Sequence, residues 1–232
     1  MASRAAADLI LSYWDMCRRE GTSLQQGMNF RLRADHSVLL TSVLPNAPYA
    51  DSFEDDGTTL IYEGHDERRV SGGPDPKALD QPGVYPGGGL TQNGKFYEAA
   101  LAFKHSERAA ERVQVYEKLR PGIWADNGTF HLVDAWQESA SGRSVFKFRL
   151  IAVAGDERRD VPALPERRRL IPGAVKRAVW VRDKGQCVEC GAADDLHFDH
   201  IIPYSRGGSS TTVENVQILC VRHNLSKGAR IA

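Results

Sequence analysis

The sequence contains few cysteines, no long apolar run and no net charge. Three of its four cysteines belong to one short C-terminal pattern, so the paired cysteines of a disulfide-stabilised secreted protein are absent. No apolar run is long enough to span a bilayer, and the first residues lack the apolar core of a signal peptide. These absences predict a cytoplasmic protein with no membrane association. The hydrophobic content of 41% is typical of a globular chain.

The zero net charge hides an uneven distribution along the chain. From Glu166 onward there are 11 Lys and Arg against 7 Asp and Glu, and the preceding part has the opposite excess. The positive charge is concentrated at 167–184, just before the cysteine pattern. A basic face there suits contact with nucleic-acid phosphates, and a solvated linker and helix face is the alternative interpretation.

Two ligand pairs at the C-terminal end predict a metal site. Cys187 and Cys190 are separated by two residues, and so are Cys220 and His223. Each pair places two ligands on one tight turn, and two such turns form a tetrahedral zinc site. A zinc ion with four protein ligands has no open position for chemistry, so the pattern predicts a structural zinc.

The residues framed by these pairs carry a family resemblance. Asp199 and His200 lie between the pairs, Asn215 follows fifteen residues after His200, and Asn224 comes directly after the second pair. The ligand pairs, the DHIIP segment, the glycine pair at 207–208 and the Cys-x2-His-Asn helix start resemble the zinc-bearing HNH nucleases, which have the ββα-metal fold. Where that family usually has a fourth cysteine, this chain has His223.

The HNH resemblance implies a role for each framed residue. His200 is the expected general base, and Asp199 and Asn224 are the expected ligands of a catalytic Mg²⁺ or Mn²⁺ ion. Asn215 is expected to hold the loop opposite His200 in place. For His223 two roles stay open, the fourth zinc ligand or a last catalytic histidine beside a three-cysteine zinc site. Four further side chains are candidate phosphate contacts, with packing or solvated surface as the alternative: His197, Arg206, Lys227 and Arg230.

The N-terminal part has the pattern of a β-rich domain. Apolar residues recur at helical spacing over 4–20 and predict an amphipathic helix. Alternating patterns then predict several strands, the first at 30–34, with one further helix at 94–109 in the middle of the chain. Many strands with few helices predict an α+β fold whose sheet is curved and barrel-like.

Several segments of this part resemble the SRA domain, also called YDG, a PUA-like fold that reads modified cytosine in DNA. They are the Leu-Thr-x-Asn-Gly segment at 90–94, the Val-x-Val-Tyr-Glu segment at 113–117, and the later strands that contain Gly-x-Phe-x-Leu-Val and Val-Phe-Lys-Phe-x-Leu. The resemblance implies that a flipped base enters a pocket with an aromatic ring on each face and an aspartate on its pairing edge. Tyr49 and Tyr62 are the expected rings, and Asp51 is the expected edge reader. Phe53, Glu54 and Asp55 are the alternative participants, and the alternative interpretation of the two tyrosines is a loop aromatic and a sheet-core residue.

The two resemblances together predict the domain organisation and the activity. Residues 1–155 are expected to form the SRA-like reader with its N-terminal helix, residues 156–172 an exposed linker, and residues 173–232 the HNH domain. The combination implies a restriction endonuclease that cleaves double-stranded DNA containing 5-methylcytosine or 5-hydroxymethylcytosine. Because one HNH site cuts one strand, a double-strand break implies a homodimer. The alternatives are a nicking or homing-type nuclease indifferent to modification and a catalytically silent reader.

Overall fold

The computed structural model describes residues 8–153 and 170–231. Its strands are β1 (Ile10–Ser12), β2 (Met28–Asn29), β3 (Ser37–Thr41), β4 (Ser52–Glu54), β5 (Thr59–Glu63), β6 (Glu111–Arg120), β7 (Ile123–Ala140), β8 (Arg143–Ala152), β9 (Leu196–His200) and β10 (Val216–Cys220). Its helices are α1 (Tyr13–Glu20), α2 (Gln92–Lys104), α3 (Gly173–Arg182) and α4 (Val221–Lys227). The predicted α+β class is confirmed. Among the described residues, no helix has the length and apolar character that crossing a membrane requires.

An eight-stranded sheet forms the N-terminal part. Its hydrogen-bonded path runs β2-β3-β6-β7-β8-β5-β4, and β1 pairs separately with β7. Helix α2 packs on one face through Phe96 and Ala100, which join the buried side chains of β5 to β8 in the main core. Since β2 and β4 lie at the two ends of the path and do not pair with each other, the described sheet is open rather than a closed barrel.

The Leu-Thr-x-Asn-Gly segment is explained by the start of α2. Thr91 caps the helix by accepting a hydrogen bond from the backbone N–H of Gly94 at 3.2 Å. A Cβ on Gly94 would lie 2.0 Å from the carbonyl oxygen of Gly83, so only glycine fits there. Asn93 binds the backbone of His65 twice, donating to its carbonyl and accepting from its N–H, both at 2.8 Å. The helix start therefore holds the chain that follows β5.

Two predicted elements differ from the structure. The helix predicted at 4–20 is confined to α1, and residues 10–12 form strand β1 instead, while residues 1–7 lie outside the described part. Pairing with β7 outweighs helical periodicity there, and the Ser12 side chain caps the shortened helix by accepting from the N–H of Asp15. The strand predicted at 30–34 is a turn after β2, since Arg31 adopts a φ of 46°.

The C-terminal part is a ββα unit. Strands β9 and β10 form an antiparallel pair in which Asp199 faces Gln217 and His200 faces Val216, and α4 follows β10 directly. Helix α3 packs behind this pair through Val175 and Val179. The Gly207–Gly208 turn closes the loop between the strands. A Cβ on Gly208 would lie 1.8 Å from the carbonyl oxygen of Ile202.

Residues 8–12 join the two sheets. On one side β1 pairs with β7, with Ile10 opposite Ala125. On the other side the backbone N–H of Phe198, in β9, donates to the carbonyl of Asp8 at 3.0 Å. A shared apolar cluster surrounds this junction and includes Ile10, Leu119 and Ala125 from the N-terminal part together with Ile171, Val175, Val179, Leu196 and Phe198. The nuclease-like unit is therefore packed against the large sheet.

The end of the predicted linker belongs to this packing. Most of 156–172 lies outside the described residues, but Leu170 and Ile171 are buried rather than exposed. Leu170 packs into the main core and Ile171 into the shared cluster. Because charged residues dominate the composition of this segment, composition alone did not predict that these two apolar side chains are buried.

Part of the expected basic face is also buried in the junction. Lys176 is 0% exposed and donates to the Asn127 side chain at 2.6 Å. Arg177 pairs at 3.1 Å with Glu117, a carboxylate that also accepts from Asn127. Arg182 donates to the carbonyls of Val213 and Val216. These three cations stabilise the fold, whereas residues 167–169 lie outside the described part.

The close packing at the junction predicts that one methyl group added at Gly173 destabilises the protein. A Cβ on Gly173 would lie 1.8 Å from Glu117 Oε1, and that carboxylate is buried and held by Arg177 and Asn127. We expect Gly173→Ala to lower the free energy of unfolding by about 1–3 kcal/mol, measured by urea denaturation, because the packed site must shift.

Gly87→Ala is the matched control, since a Cβ there meets nothing within 4 Å. This variant should stay within about 0.5 kcal/mol of the wild type. Equal stability of the Gly173→Ala and Gly87→Ala proteins would contradict the tight contact at the junction.

Candidate metal and nuclease site

Four side chains in the C-terminal unit form a cluster that can hold a metal ion: Cys187, Cys190, Cys220 and His223. Their candidate ligand atoms all lie within 4.8 Å of one another. The Sγ atoms of Cys190 and Cys220 are 3.9 Å apart, and His223 Nδ1 lies 3.4 Å and 3.5 Å from the Sγ atoms of Cys187 and Cys220. In a tetrahedral zinc site the sulfur–sulfur edge is about 3.8 Å and the sulfur–nitrogen edge about 3.6 Å, so the cluster fits zinc in size.

The environment of Cys187 favours a metal-binding thiolate. Burial opposes its ionisation, but hydrogen bonds from the backbone at Cys220 and from the His223 ring outweigh burial, and the pKa of the thiol falls to about 6. Since the thiolate is the form that ligates metals, the site is prepared for an ion. The His223 ring is turned toward the cysteines, which favours the zinc-ligand role over the catalytic alternative.

The residues expected at the catalytic centre lie next to this cluster. Asp199 and His200 end strand β9, and Asn224 lies in the first turn of α4, directly after the ligand pair of β10 and α4. Asp199 Oδ2 is buried and faces the Lys227 ammonium at 2.8 Å, and Asn224 Oδ1 is a buried oxygen that accepts no hydrogen bond from the described residues. Carboxylate and amide oxygens are suited to a hard divalent cation. The donor set therefore fits the expected Mg²⁺ or Mn²⁺.

Asn215 holds the loop that follows β9. Its Oδ1 accepts from the backbone N–H of Ile202 at 2.8 Å, and its Nδ2 donates to the carbonyls of Ile202 and Ser209. Its own carbonyl accepts from the N–H of Ile201. One side chain thus ties both ends of the loop beside His200, which is the arrangement expected of a supporting residue.

Two contacts at the centre were not predicted from the sequence. His200 Nε2 lies 2.8 Å from Ser210 Oγ, and both residues are buried. Lys227, expected to contact phosphate, instead lies 2.8 Å from Asp199 Oδ2 and donates to the carbonyl of His200 at 2.6 Å. No sequence motif predicts either contact. Ser210 lies in the loop after β9 and Lys227 lies in α4, so each contact joins the end of β9 to a different element. Arg206 and Arg230 are exposed near this centre.

The three predicted pocket residues lie near one another but form no open slot. The Tyr49 ring stacks on the His65 ring at 4.5 Å and 8°, and Lys77 Nζ lies 4.1 Å from the Tyr49 centroid. The His65 ring therefore covers one face of Tyr49, and the Lys77 ammonium also lies over the Tyr49 ring. Tyr62 is 1% exposed and belongs to the main core, with its hydroxyl 2.8 Å from His65 Nε2. His65 therefore contacts both tyrosines.

Asp51 is held between β3 and β5. It accepts hydrogen bonds from the Thr41 hydroxyl at 2.8 Å and from the backbone N–H of Glu63 at 2.9 Å. Burial raises the pKa of Asp51 to about 6, although these hydrogen bonds favour the charged form. Beside it, Glu63 pairs with Lys147 at 3.1 Å. Burial also lowers the pKa of His65 to about 4, so its ring is neutral near pH 7.

Comparison with known proteins locates one family in the chain. Residues 187–230 match the HNH endonuclease family. No curated protein matches the chain. Among solved structures, the SRA domain of SUVH5 in complex with methylated CHH DNA has a TM-score of 0.46 and 18% identity, over 71% of this chain and 97% of that one.

Two further structures are similar over long stretches. The same SRA domain bound to fully hydroxymethylated CG DNA has a TM-score of 0.45 and 21% identity, over 71% of this chain and 98% of that one. The modification-dependent TagI restriction endonuclease has a TM-score of 0.41 and 16% identity, over 96% of this chain and 76% of that one. These identities are too low to transfer a ligand or a residue's role.

The two roles of His223 predict opposite results for one substitution. If His223 is a metal ligand, His223→Cys should keep one zinc per chain and most of the nuclease activity, because cysteine restores the usual fourth ligand. His223→Ala should lose zinc and unfold the C-terminal unit, because metal binding and folding are linked. Zinc is measured by elemental analysis and folding by circular dichroism.

If His223 is instead a catalytic residue beside a three-cysteine zinc site, the His223→Cys protein should keep its zinc and lose cleavage. The geometry of the cluster favours the first result. The C-terminal unit of this chain contains the segment that matches the HNH endonuclease family, and it is joined to a sheet-rich N-terminal region.

Proposed function

We propose that this protein is a metal-dependent endonuclease that cleaves DNA containing 5-methylcytosine or 5-hydroxymethylcytosine. The observation that carries the nuclease part is the ββα unit in the segment that matches the HNH endonucleases, in which Asp199 and His200 end β9 and Asn224 lies in α4. Residues 173–232 are its nuclease domain and residues 1–155 its reading domain. The modified-base part rests on the SRA-like segments and on the grouping of Tyr49, Asp51 and Tyr62.

Each catalytic residue has a defined task in phosphodiester hydrolysis. His200 takes the proton of the attacking water, and its contact with Ser210 holds the ring in orientation. Asn215 keeps the backbone after His200 in place. A divalent cation at Asp199 and Asn224, Mg²⁺ or Mn²⁺, would stabilise charge on the phosphate and on the leaving oxygen. The Cys3His cluster is assigned to a structural zinc.

Two copies are needed for a double-strand break. One HNH centre hydrolyses one strand, so we assign the active form to a homodimer. Exposed arginines near the centre, Arg206 and Arg230, are suited to phosphate contact. The second candidate function is a nicking or homing-type nuclease that ignores modification. The His65 ring stacked on Tyr49 favours this alternative unless His65 moves away.

The proposal is tested with three matched plasmids that are unmodified, 5-methylated or 5-hydroxymethylated at cytosine. In Mg²⁺ or Mn²⁺ we expect cleavage only of the modified DNA. Equal cleavage of all three would remove the modified-base part and leave the nuclease. His200→Ala should reduce cleavage by at least about 100-fold, because the general base is lost, and should leave binding of modified DNA unchanged.

His105→Ala is the matched control, since His105 is an exposed histidine at the C-terminal end of α2. That variant should cleave like the wild type. Persistent cleavage by the His200→Ala protein would refute the assignment of the general base.

The closed pocket predicts an unusual effect of removing His65. If a flipped base enters beside Tyr49, the stacked His65 ring must leave first, and the stacking and the contact with Tyr62 are lost. We expect His65→Ala to bind a modified duplex at least about fivefold more tightly, because base–aromatic stacking is worth about 1–3 kcal/mol and no longer competes with an internal ring.

Affinity for an unmodified duplex should not change in this variant, and fluorescence anisotropy measures both. Weaker binding of the modified duplex, or equal changes for both duplexes, would show that His65 does not close a base pocket. The His105→Ala protein again serves as the control.

A further inference from the structure

The ammonium of Lys227 is enclosed with the catalytic residues. Its Nζ lies 2.8 Å from Asp199 Oδ2 and donates to the backbone carbonyl of His200 at 2.6 Å. The side chains of Lys227 and Asp199 are only 9% and 10% exposed. A lysine that contacts a DNA phosphate is normally solvent-accessible in the free protein, so this geometry indicates a different role.

The contact with Asp199 is a close ion pair, with the ammonium nitrogen 2.8 Å from Asp199 Oδ2. Asn224 Oδ1, three residues before Lys227 in α4, is buried and accepts no hydrogen bond from the described residues. Carboxylate and amide oxygens are the ligands that a hard divalent cation prefers, and the positive charge that now faces Asp199 comes from the protein itself.

We propose that Lys227 is a positioning residue that serves as an internal counter-ion to Asp199 and weakens the binding of the divalent cation. The inference rests on the proposed cation site at Asp199 and Asn224. An isolated buried carboxylate is strongly unfavourable, and the ammonium neutralises it when no ion is bound. The same positive charge repels a dication at that carboxylate, because charges a few Å apart interact strongly when partly buried. The anchor on the His200 carbonyl keeps Lys227 in place.

The role is tested by Mn²⁺ titration of the zinc-loaded, DNA-free full chain in a calorimeter. We expect Lys227→Met to bind Mn²⁺ at least about tenfold more tightly than the wild type, since a repulsive charge is removed. Lys227→Arg keeps the charge and should bind within about threefold of the wild type. Asp199→Asn removes the site and should abolish this binding, which assigns the heat signal to Asp199.

Thermal unfolding gives a second readout that does not depend on cleavage. Without Mn²⁺ the Lys227→Met protein should melt below the wild type, because Asp199 loses its partner. Saturating Mn²⁺ should raise its melting temperature more than that of the wild type, because the ion takes over the role of the ammonium. This difference should be absent from the Asp199→Asn, Lys227→Met double variant.

The outcomes separate the inference from the proposed function. Equal or weaker Mn²⁺ binding by Lys227→Met, beside wild-type binding that depends on Asp199, would overturn the counter-ion role and leave the cation site intact. If neither protein binds Mn²⁺, the cation site and the counter-ion role both fall. Reduced affinity for DNA with unchanged Mn²⁺ binding would return Lys227 to the role of a phosphate contact.

Discussion

Buried carboxylates need positive or hydrogen-bonding partners, and each functional part of this protein is organised around one of them. At the junction of the two parts, Glu117 is enclosed by Arg177 and Asn127. Beside the predicted pocket, Glu63 is paired with Lys147 and Asp51 is held by backbone and hydroxyl donors. At the nuclease centre, Asp199 faces Lys227. The cationic partners Arg177, Lys147 and Lys227 come from elements far along the chain from the carboxylates, so charge pairing links elements that sequence order separates.

The junction has a direct functional consequence. A nuclease on a free tether would cut at many distances from the base that is read, whereas a packed module has one orientation. Here residues 8–12 bond to β7 on one side and to β9 on the other, and a shared apolar cluster fills the space around them. The large sheet and the ββα unit therefore belong to one packed body within the described residues. Such packing favours a defined cleavage distance over a broad one.

The predicted pocket and the predicted cation site share a second property, which is that an internal group lies beside the atoms expected to bind the ligand. His65 covers one face of Tyr49, and Lys227 supplies the positive charge at Asp199. Each contact stabilises the ligand-free protein and would be replaced on ligand binding. Ligands that bind too weakly to displace the internal partner are therefore disfavoured.

The sequence by itself determined the chemistry of the C-terminal unit. The spacing of Cys187, Cys190, Cys220 and His223 is a local property of two tight turns, so ligand identity and cluster formation follow from the order of residues. The strands β5 to β8 and the helix α2 were likewise predictable, because their alternation and capping residues are short-range signals. Strand β1 was not, since its pairing with β7 competes with a helical pattern of equal local quality.

Tertiary structure alone decided which charges are buried and which rings are covered. The basic residues before the first cysteine pair could have formed a DNA-binding face, but Lys176 and Arg177 bind side chains of the large sheet at the junction instead. Lys227 faces Asp199 and His65 stacks on Tyr49 because the fold brings separate segments within a few Å. Local sequence patterns record which side chains can bind a metal, a base or a phosphate. The partners those side chains have in the free protein depend on long-range packing, which no local pattern contains.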